Sequence, residues 1–310
     1  MNILITGVHG FVGSNLVKYL SHGNTIYGLD IVAPVNDGVV KTFSWEDLDA
    51  STLPDVDAII HLAGKAHDTK NQTVSDIYFK VNTGLTQKIY DYFLSSSASK
   101  FVFFSTAKAA ADRVEGVLTE DVIPSPVGPY GESKIAAEQY IQSHPADGKE
   151  VYIFRPCMIH GPGNKGNLNL LYGVVSKGIP WPLGAYENRR TFTSVENMCF
   201  AVNGVLTNDV PSGIYNMGDD EPLSTNELIE IMCEALGKKA HIWRIPKNIM
   251  AGCAKVGGAL HLPLNPERMG KLTENYISSN QKIKSALGVK EMPVSAREGL
   301  IRTILSFKND

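Results

Sequence analysis

The sequence has no apolar run near the ~20 residues that a membrane-crossing helix needs. It has only four cysteines, Cys157, Cys199, Cys233 and Cys253, with no CxxC pair and no histidine at zinc-finger spacing. Nothing in that pattern calls for a disulfide framework, and the thiols are expected to be reduced, as in a cytosolic protein. The eight histidines show no metal-ligand spacing, so no metal site is expected. A formal net charge of only −3 leaves neither a basic face for nucleic acid nor an acidic tail. There is no internal repeat and no low-complexity tract. Met1–Gly7 lacks a basic region, and its apolar stretch stops at a glycine, so it does not read as a signal peptide. A soluble, cytoplasmic protein is the expectation. Its 310 residues suffice for one large α/β domain or two smaller ones.

What is present is alternation. Strands are expected at Ile3–Thr6, Thr25–Leu29, Val39–Phe43, Ala58–Leu62, Phe101–Ser105 and Val151–Phe154. Helices are expected at Phe11–Leu20, across Asp76–Phe93 and at Pro129–Ser143. The strands are almost wholly apolar, the pattern of a parallel sheet covered on both faces. The fold class is therefore α/β, a Rossmann-like doubly wound parallel sheet with a smaller C-terminal substrate-binding region. Residues 1–160 form the expected nucleotide-binding domain, to which strands from 190–217 can return. Residues 161–310 form the second part, with short helices at Glu196–Leu206, Thr225–Leu236 and Ser295–Ser306.

Between the first strand and first helix lie Gly7, Gly10 and Gly13, spaced GxxGxxG around Phe11 and Val12. Small residues there allow a tight turn, and the helix N-terminus offers N–H groups and a positive dipole end to a pyrophosphate. An ordinary tight turn is the competing reading. Asp30, with Ile31 beside it, ends the second strand about 20 residues on, where a carboxylate accepts from adenosine ribose hydroxyls and repels a 2′-phosphate. The implied cofactor is NAD, with NADP disfavoured. Asp47-Leu48 follows the third strand, where an acid can meet the adenine amino group; the acidic run can equally be a helix N-terminus.

Tyr130 and Lys134 stand at i and i+4, so on a helix they share a face. An ammonium and a cationic nicotinamide ring favour the phenolate and lower the tyrosine pKa, so Tyr130 can move a proton at neutral pH. Lys134 can also hold the nicotinamide ribose. The fifth strand ends at Ser105-Thr106, facing the ligand crevice of such a sheet. Thr106 is the candidate hydroxyl for the reacting oxygen, with a turn cap as the alternative.

These motifs resemble the extended short-chain dehydrogenase/reductase superfamily, in its nucleotide-sugar epimerase/dehydratase branch. The resemblance also covers His61-Leu62-Ala63-Gly64, Val81-Asn82, Arg155-Pro156 and Gly161-Pro162-Gly163. It implies that Leu62, Ala63 and Gly64 line the cofactor, with Asn82, Ser105 and Pro156 among its contacts, and that Thr106, Tyr130 and Lys134 are catalytic. It further implies a nucleotide-sugar substrate, a UDP-sugar, with Asn167, Leu168, Arg190 and Arg268 at its diphosphate. Lys108 is a further candidate substrate contact. The family's dehydratases carry Thr-Asp-Glu where this chain has Thr106-Ala107-Lys108, which disfavours 4,6-dehydration. Met158 stands where galactose-type epimerases commonly have Asn. Lys108, the Gly163–Asn167 loop and Asn188-Arg189-Arg190 resemble a surface-polysaccharide subgroup. Its members are thought to reduce UDP-4-keto-6-deoxy-N-acetylglucosamine to UDP-N-acetylquinovosamine. The expected activity is NAD(P)-dependent hydride transfer at C4, as that reduction, with a 4-epimerase retaining NAD as the alternative. A non-catalytic dinucleotide sensor is the different-class alternative, and the presence of both Tyr130 and Lys134 weighs against it. Helices near Tyr78–Phe93 and Pro129–Ser143 resemble those that pair two subunits in this family, which implies a homodimer.

Overall fold

The computed structural model describes residues 1–65, 74–164, 166–260 and 265–308. His67, Lys165 and His261 lie outside them. From the N-terminus run β1 (Asn2–Thr6), α1 (Phe11–Leu20), β2 (Thr25–Leu29), β3 (Lys41–Phe43), α2 (Trp45–Asp49) and β4 (Ala58–His61). Then α3 (Ser75–Tyr78) passes through a π-helical segment, Phe79–Gly84, into α4 (Leu85–Ser95). Next come β5 (Lys100–Phe104), α5 (Ala107–Ala110), β6 (Val117–Leu118), α6 (Pro129–Ser143), β7 (Glu150–Pro156) and β8 (Met158–His160). They are followed by α7 (Asn167–Ser176), β9 (Phe192–Ser194), α8 (Val195–Thr207), β10 (Gly213–Met217) and α9 (Thr225–Ala235). The chain closes with α10 (Lys247–Ala259), α11 (Pro266–Thr273), β11 (Ile277–Ser278), α12 (Gln281–Leu287) and α13 (Ala296–Ser306).

Seven strands form one parallel sheet in the order β10-β7-β5-β4-β1-β2-β3. The winding reverses between β1 and β4, so a crevice opens beyond their carboxyl ends, where such sheets hold ligands. Ile3, Leu4 and Ile5 of β1 are fully buried because both faces are covered. One face packs Ile3, Ile5 and Tyr152 under Leu16 and Val17 of α1 and Met198 and Val202 of α8. The other packs Leu4, Ile59 and Phe101 under Ile89 and Phe93 of α4 and Ile141 of α6. A third core joins Leu168 of α7, Trp181, Ile229 and Met232 of α9, and Leu300 and Ile304 of α13.

The long helix expected over Asp76–Phe93 is longer and is not uniformly α-helical, since its middle turns widen to π geometry around the buried Asn82. The third strand starts at Lys41 rather than Val39. β10 and the helix before it belong to the main sheet and its cover, so the sheet reaches well past residue 160. The C-terminal part holds four helices the sequence reading did not name: α7, α10, α11 and α12. α10 contains three glycines, which lower helix propensity, and its hold comes from burying Met250, Ala254 and Gly257.

Candidate active site

The first wall of the crevice is the glycine loop. Gly7 has φ +67°, and a Cβ there would come within 2.9 Å of the Ala63 nitrogen. A Cβ on Gly13 would sit 2.5 Å from the Val8 carbonyl oxygen. Gly10 is the N-cap of α1 and donates its N–H to the Gly7 carbonyl at 3.0 Å. No side chain caps this ten-residue helix and no acid stands in its first turn, so the N–H groups at Phe11, Val12 and Gly13 are offered to a ligand. That cradle fits a dinucleotide pyrophosphate on this chain's own geometry.

Asp30 is half-buried at the end of β2. Its Oδ2 accepts the His9 N–H at 3.1 Å and its Oδ1 accepts the Ile31 N–H at 2.7 Å, which joins the acid to the loop. The Ile31 side chain is exposed. Asp47 is placed differently. Its Oδ2 accepts from the backbone N–H and hydroxyl of Ser44, closing a capping box at the start of α2. The backbone bond to Ser44 holds the Asp47 carboxyl below its ordinary pKa. The Asp47 carboxylate is thus taken up by the helix N-terminus, and Leu48 is buried in the sheet core.

The second wall follows β4. Thr6 Oγ1 accepts the Ala63 N–H at 3.0 Å and lies 2.7 Å from His61 Nδ1. Asn82, fully buried, accepts the Lys65 N–H at 2.7 Å and donates to Ser133 Oγ at 2.9 Å. Its amide therefore ties the Leu62-Ala63-Gly64 loop to α6. A Cβ on Gly64 would lie 2.9 Å from Asn82 Oδ1 and 3.2 Å from Lys134 Nζ, so the loop, Asn82 and Lys134 meet at one place.

The floor is made by β5, α5 and α6. Gly128 has φ +85°, which turns the chain into α6, and Pro129 starts the helix. Gly131 lets α6 press on α5, since a Cβ there would come 2.7 Å from the Lys108 carbonyl oxygen. That close approach brings Tyr130 to hydrogen-bond the Thr106 side chain. Thr106 also caps α5, accepting the Lys108 N–H at 3.3 Å. Lys134 is 5% exposed and donates to the Phe104 carbonyl at 2.8 Å.

In the protein alone, burial raises the Tyr130 pKa, and the hydrogen bond with Thr106 opposes that rise. Burial also pushes Lys134 down to about 8 against the upward pull of Glu138. Ser105 does not face the crevice with its hydroxyl, which donates to the Glu138 carboxylate. Pro156 ends β7 in the core.

The substrate candidates lie on the C-terminal side. Arg190 Nη1 donates to the Lys271 carbonyl of α11 at 2.6 Å, and the Arg190 backbone bridges to Leu223 and Tyr276. Arg268 is exposed on the same α11. Lys108 Nζ donates to Asp112 Oδ1 at 3.0 Å and lies 4.8 Å from the Tyr276 ring centre. Tyr276 therefore stands between Lys108 and Arg190, and its hydroxyl donates to the Ala111 carbonyl at 2.8 Å. Asn167 is exposed at the first turn of α7, whereas Leu168 is buried in the third core. Sequence reasoning missed Tyr276 and Glu138. Nothing local marks Tyr276, but Glu138 falls four residues after Lys134 on the same stripe.

The model described as the NAD dependent epimerase/dehydratase family matches residues 3–218. UDP-glucose 4-epimerase of Vibrio cholerae is 32% identical, covering 99% of this chain and 95% of its own length. GDP-6-deoxy-D-mannose reductase of Pseudomonas aeruginosa is 26% identical over 75% of this chain and 79% of its own. The solved structure of UDP-glucuronic acid 4-epimerase from Bacillus cereus, with UDP-glucuronic acid and NAD, has the same fold. It superposes with a TM-score of 0.75 at 21% identity, covering 100% of this chain and 99% of that one.

Proposed function

The chain belongs to the NAD dependent epimerase/dehydratase family, and from that premise we propose that it moves a hydride at C4 of a UDP-sugar. The direction proposed is reduction of a 4-keto-6-deoxy sugar nucleotide. The observation that carries the reading is the meeting of Thr106, Tyr130 and Lys134 at the end of β5, beside the Leu62-Ala63-Gly64 loop. When bound, NAD in its reduced form would supply the hydride. The chain supplies the rest. N–H groups of α1 bind the pyrophosphate, and Asp30 accepts the adenosine ribose hydroxyls. Thr106 Oγ1 holds the C4 carbonyl oxygen, and Tyr130 Oη donates it a proton as the carbon becomes an alcohol. Burial raises the Tyr130 pKa, so the phenol is protonated at neutral pH and has the proton to give. Lys134 holds the nicotinamide ribose. Arg190 and Arg268, at the face of α11, take the diphosphate once Arg190 leaves the Lys271 carbonyl. No carboxylate follows Thr106 within α5, so the acid/base pair that 4,6-dehydration needs is lacking there.

A second reading, a 4-epimerase with retained NAD, is favoured by the Vibrio cholerae relative. One experiment separates the two. Purified protein is assayed for bound NAD and incubated with UDP-N-acetylglucosamine alone, then with NADH and UDP-4-keto-6-deoxy-N-acetylglucosamine. The reductase reading expects NADH consumption only with the keto sugar. Conversion of UDP-N-acetylglucosamine to its C4 epimer without added reductant would replace it with the epimerase reading.

A further inference from the structure

Behind the site lies a charge that the proposed reaction does not use. Tyr130, Lys134 and Glu138 stand four residues apart on α6, so their side chains form one ladder from the crevice into the core. Glu138 is fully buried. Its Oε1 accepts from Ser105 Oγ and from Arg155 Nε at 3.0 Å, and its Oε2 accepts from Arg155 Nη2 at 2.6 Å. Arg155 is 1% exposed, and its Nη1 finds no hydrogen-bond partner among the described residues. A buried pair of this kind adds little stability over apolar residues of similar size, because desolvation offsets the attraction. Its place in the fold is more telling. Ser105 immediately precedes Thr106 at the end of β5, and Arg155 immediately precedes Pro156 at the end of β7.

We propose that Glu138 is a positioning residue, which locks the ends of β5 and β7 to α6 and keeps Lys134 cationic within the core. This rests on the reading that Tyr130 and Lys134 act at the cofactor. The Lys134 ammonium donates to the neutral Phe104 carbonyl and lies 4.9 Å from the centre of the Phe103 ring, so neither partner carries a charge to balance it. The titratable groups around it are few. On α6 they are Tyr130 and Glu138, and from β7 there is Arg155. From β4 comes His61, held between Thr6 and Thr86 and pushed well below its ordinary pKa by burial. α3 brings Tyr78 against Tyr130, and Lys108 of α5 is paired with Asp112. β5 faces Lys134 with Phe103 and Phe104, and the π segment brings the neutral Asn82. Among these groups Glu138 is the anion on the same face of α6 as Lys134, and even though it shares its charge with Arg155 it opposes the downward push of burial on Lys134.

The test is the double variant Glu138→Gln/Arg155→Met, which removes both charges and strands neither. NADH affinity is followed by fluorescence across the alkaline range. In the parent protein, affinity is expected to fall as Lys134 loses its proton, with a midpoint near its pKa of about 8. The double variant is expected to lower that midpoint, with kcat reduced more than KM. An unmoved midpoint in a folded double variant overturns the proposal, because a merely structural pair would leave it in place. Should the double variant not fold, Ser105→Ala keeps both charges and loosens only the β5 tie. About tenfold lower kcat with an unshifted midpoint is then expected, and an unaltered kcat overturns the proposal. Full turnover in Lys134→Ala would instead sink the functional reading on which the proposal rests.

Discussion

Tyr130 sits where two influences oppose each other, burial raising its pKa and the Thr106 hydroxyl lowering it. Removing the phenol hydroxyl deletes the proton donor while leaving the ring against Tyr78, whose centroid is 6.3 Å away. Tyr130→Phe is therefore expected to cut kcat by about 10²–10⁴ with NADH affinity kept, as read by turnover and fluorescence titration. Retained turnover would remove Tyr130 from the mechanism. Lys134 makes a second residue-scale prediction. Its folded pKa of about 8 lies below the ordinary 10.5. Between those values the unfolded chain holds a proton that the folded chain has released, so this group's contribution to stability grows as pH rises through that window. Urea midpoints for the parent should thus climb more steeply between pH 8 and 10.5 than those of Lys134→Met. Equal slopes would show that Lys134 titrates normally.

At the scale of elements, the site depends on how closely α6 approaches α5. Gly131 permits that approach, and Gly131→Ala would push a methyl toward the Lys108 carbonyl, 2.7 Å from the ideal Cβ position. The methyl is fixed to the α6 backbone and the carbonyl belongs to the α5 backbone, so α6 must shift and carry Tyr130 from Thr106. A loss of about 10²-fold in kcat is expected, with far-ultraviolet circular dichroism unchanged. A fully active variant would show that the contact is not needed. Several elements were legible because their local signals agree with their burial. The glycine spacing, the apolar β1 and the Tyr-x-x-x-Lys helix are of this kind. The π segment at Phe79–Gly84 was not legible, since its widening serves the Asn82 bonds to the Lys65 backbone and Ser133, contacts far away in sequence. Asp47 could be read either way from sequence, and only the Ser44 bonds show its carboxylate closing a helix cap.

At the scale of the whole molecule, Asp219 joins the sheet to the C-terminal region. Its Oδ1 accepts from the Ser194 N–H at 2.9 Å and from Asn197 Nδ2 at 2.7 Å, and Asn197 also donates to the Val294 carbonyl. Asp219→Ala would leave buried donors without acceptors. A loss of about 2–4 kcal/mol in urea unfolding is expected, and a change within error would show the hub to be dispensable. The homodimer that the family resemblance implies, paired through helices that include α4 and α6, would sediment at twice the chain mass, and a monomer at micromolar concentration would contradict it. By itself the sequence determined the alternating α/β elements, the glycine turn between β1 and α1, and the shared helical face of Tyr130 and Lys134, because each is written in short-range spacing and periodicity. Only the tertiary structure decided that β10 and α8 complete the main sheet and its cover. It alone decided that the Ser105 hydroxyl turns to Glu138, and that burial raises the Tyr130 pKa against the opposing hydrogen bond with Thr106. Those outcomes depend on burial and on partners brought together from distant segments, and a charge or hydroxyl takes its character from those surroundings.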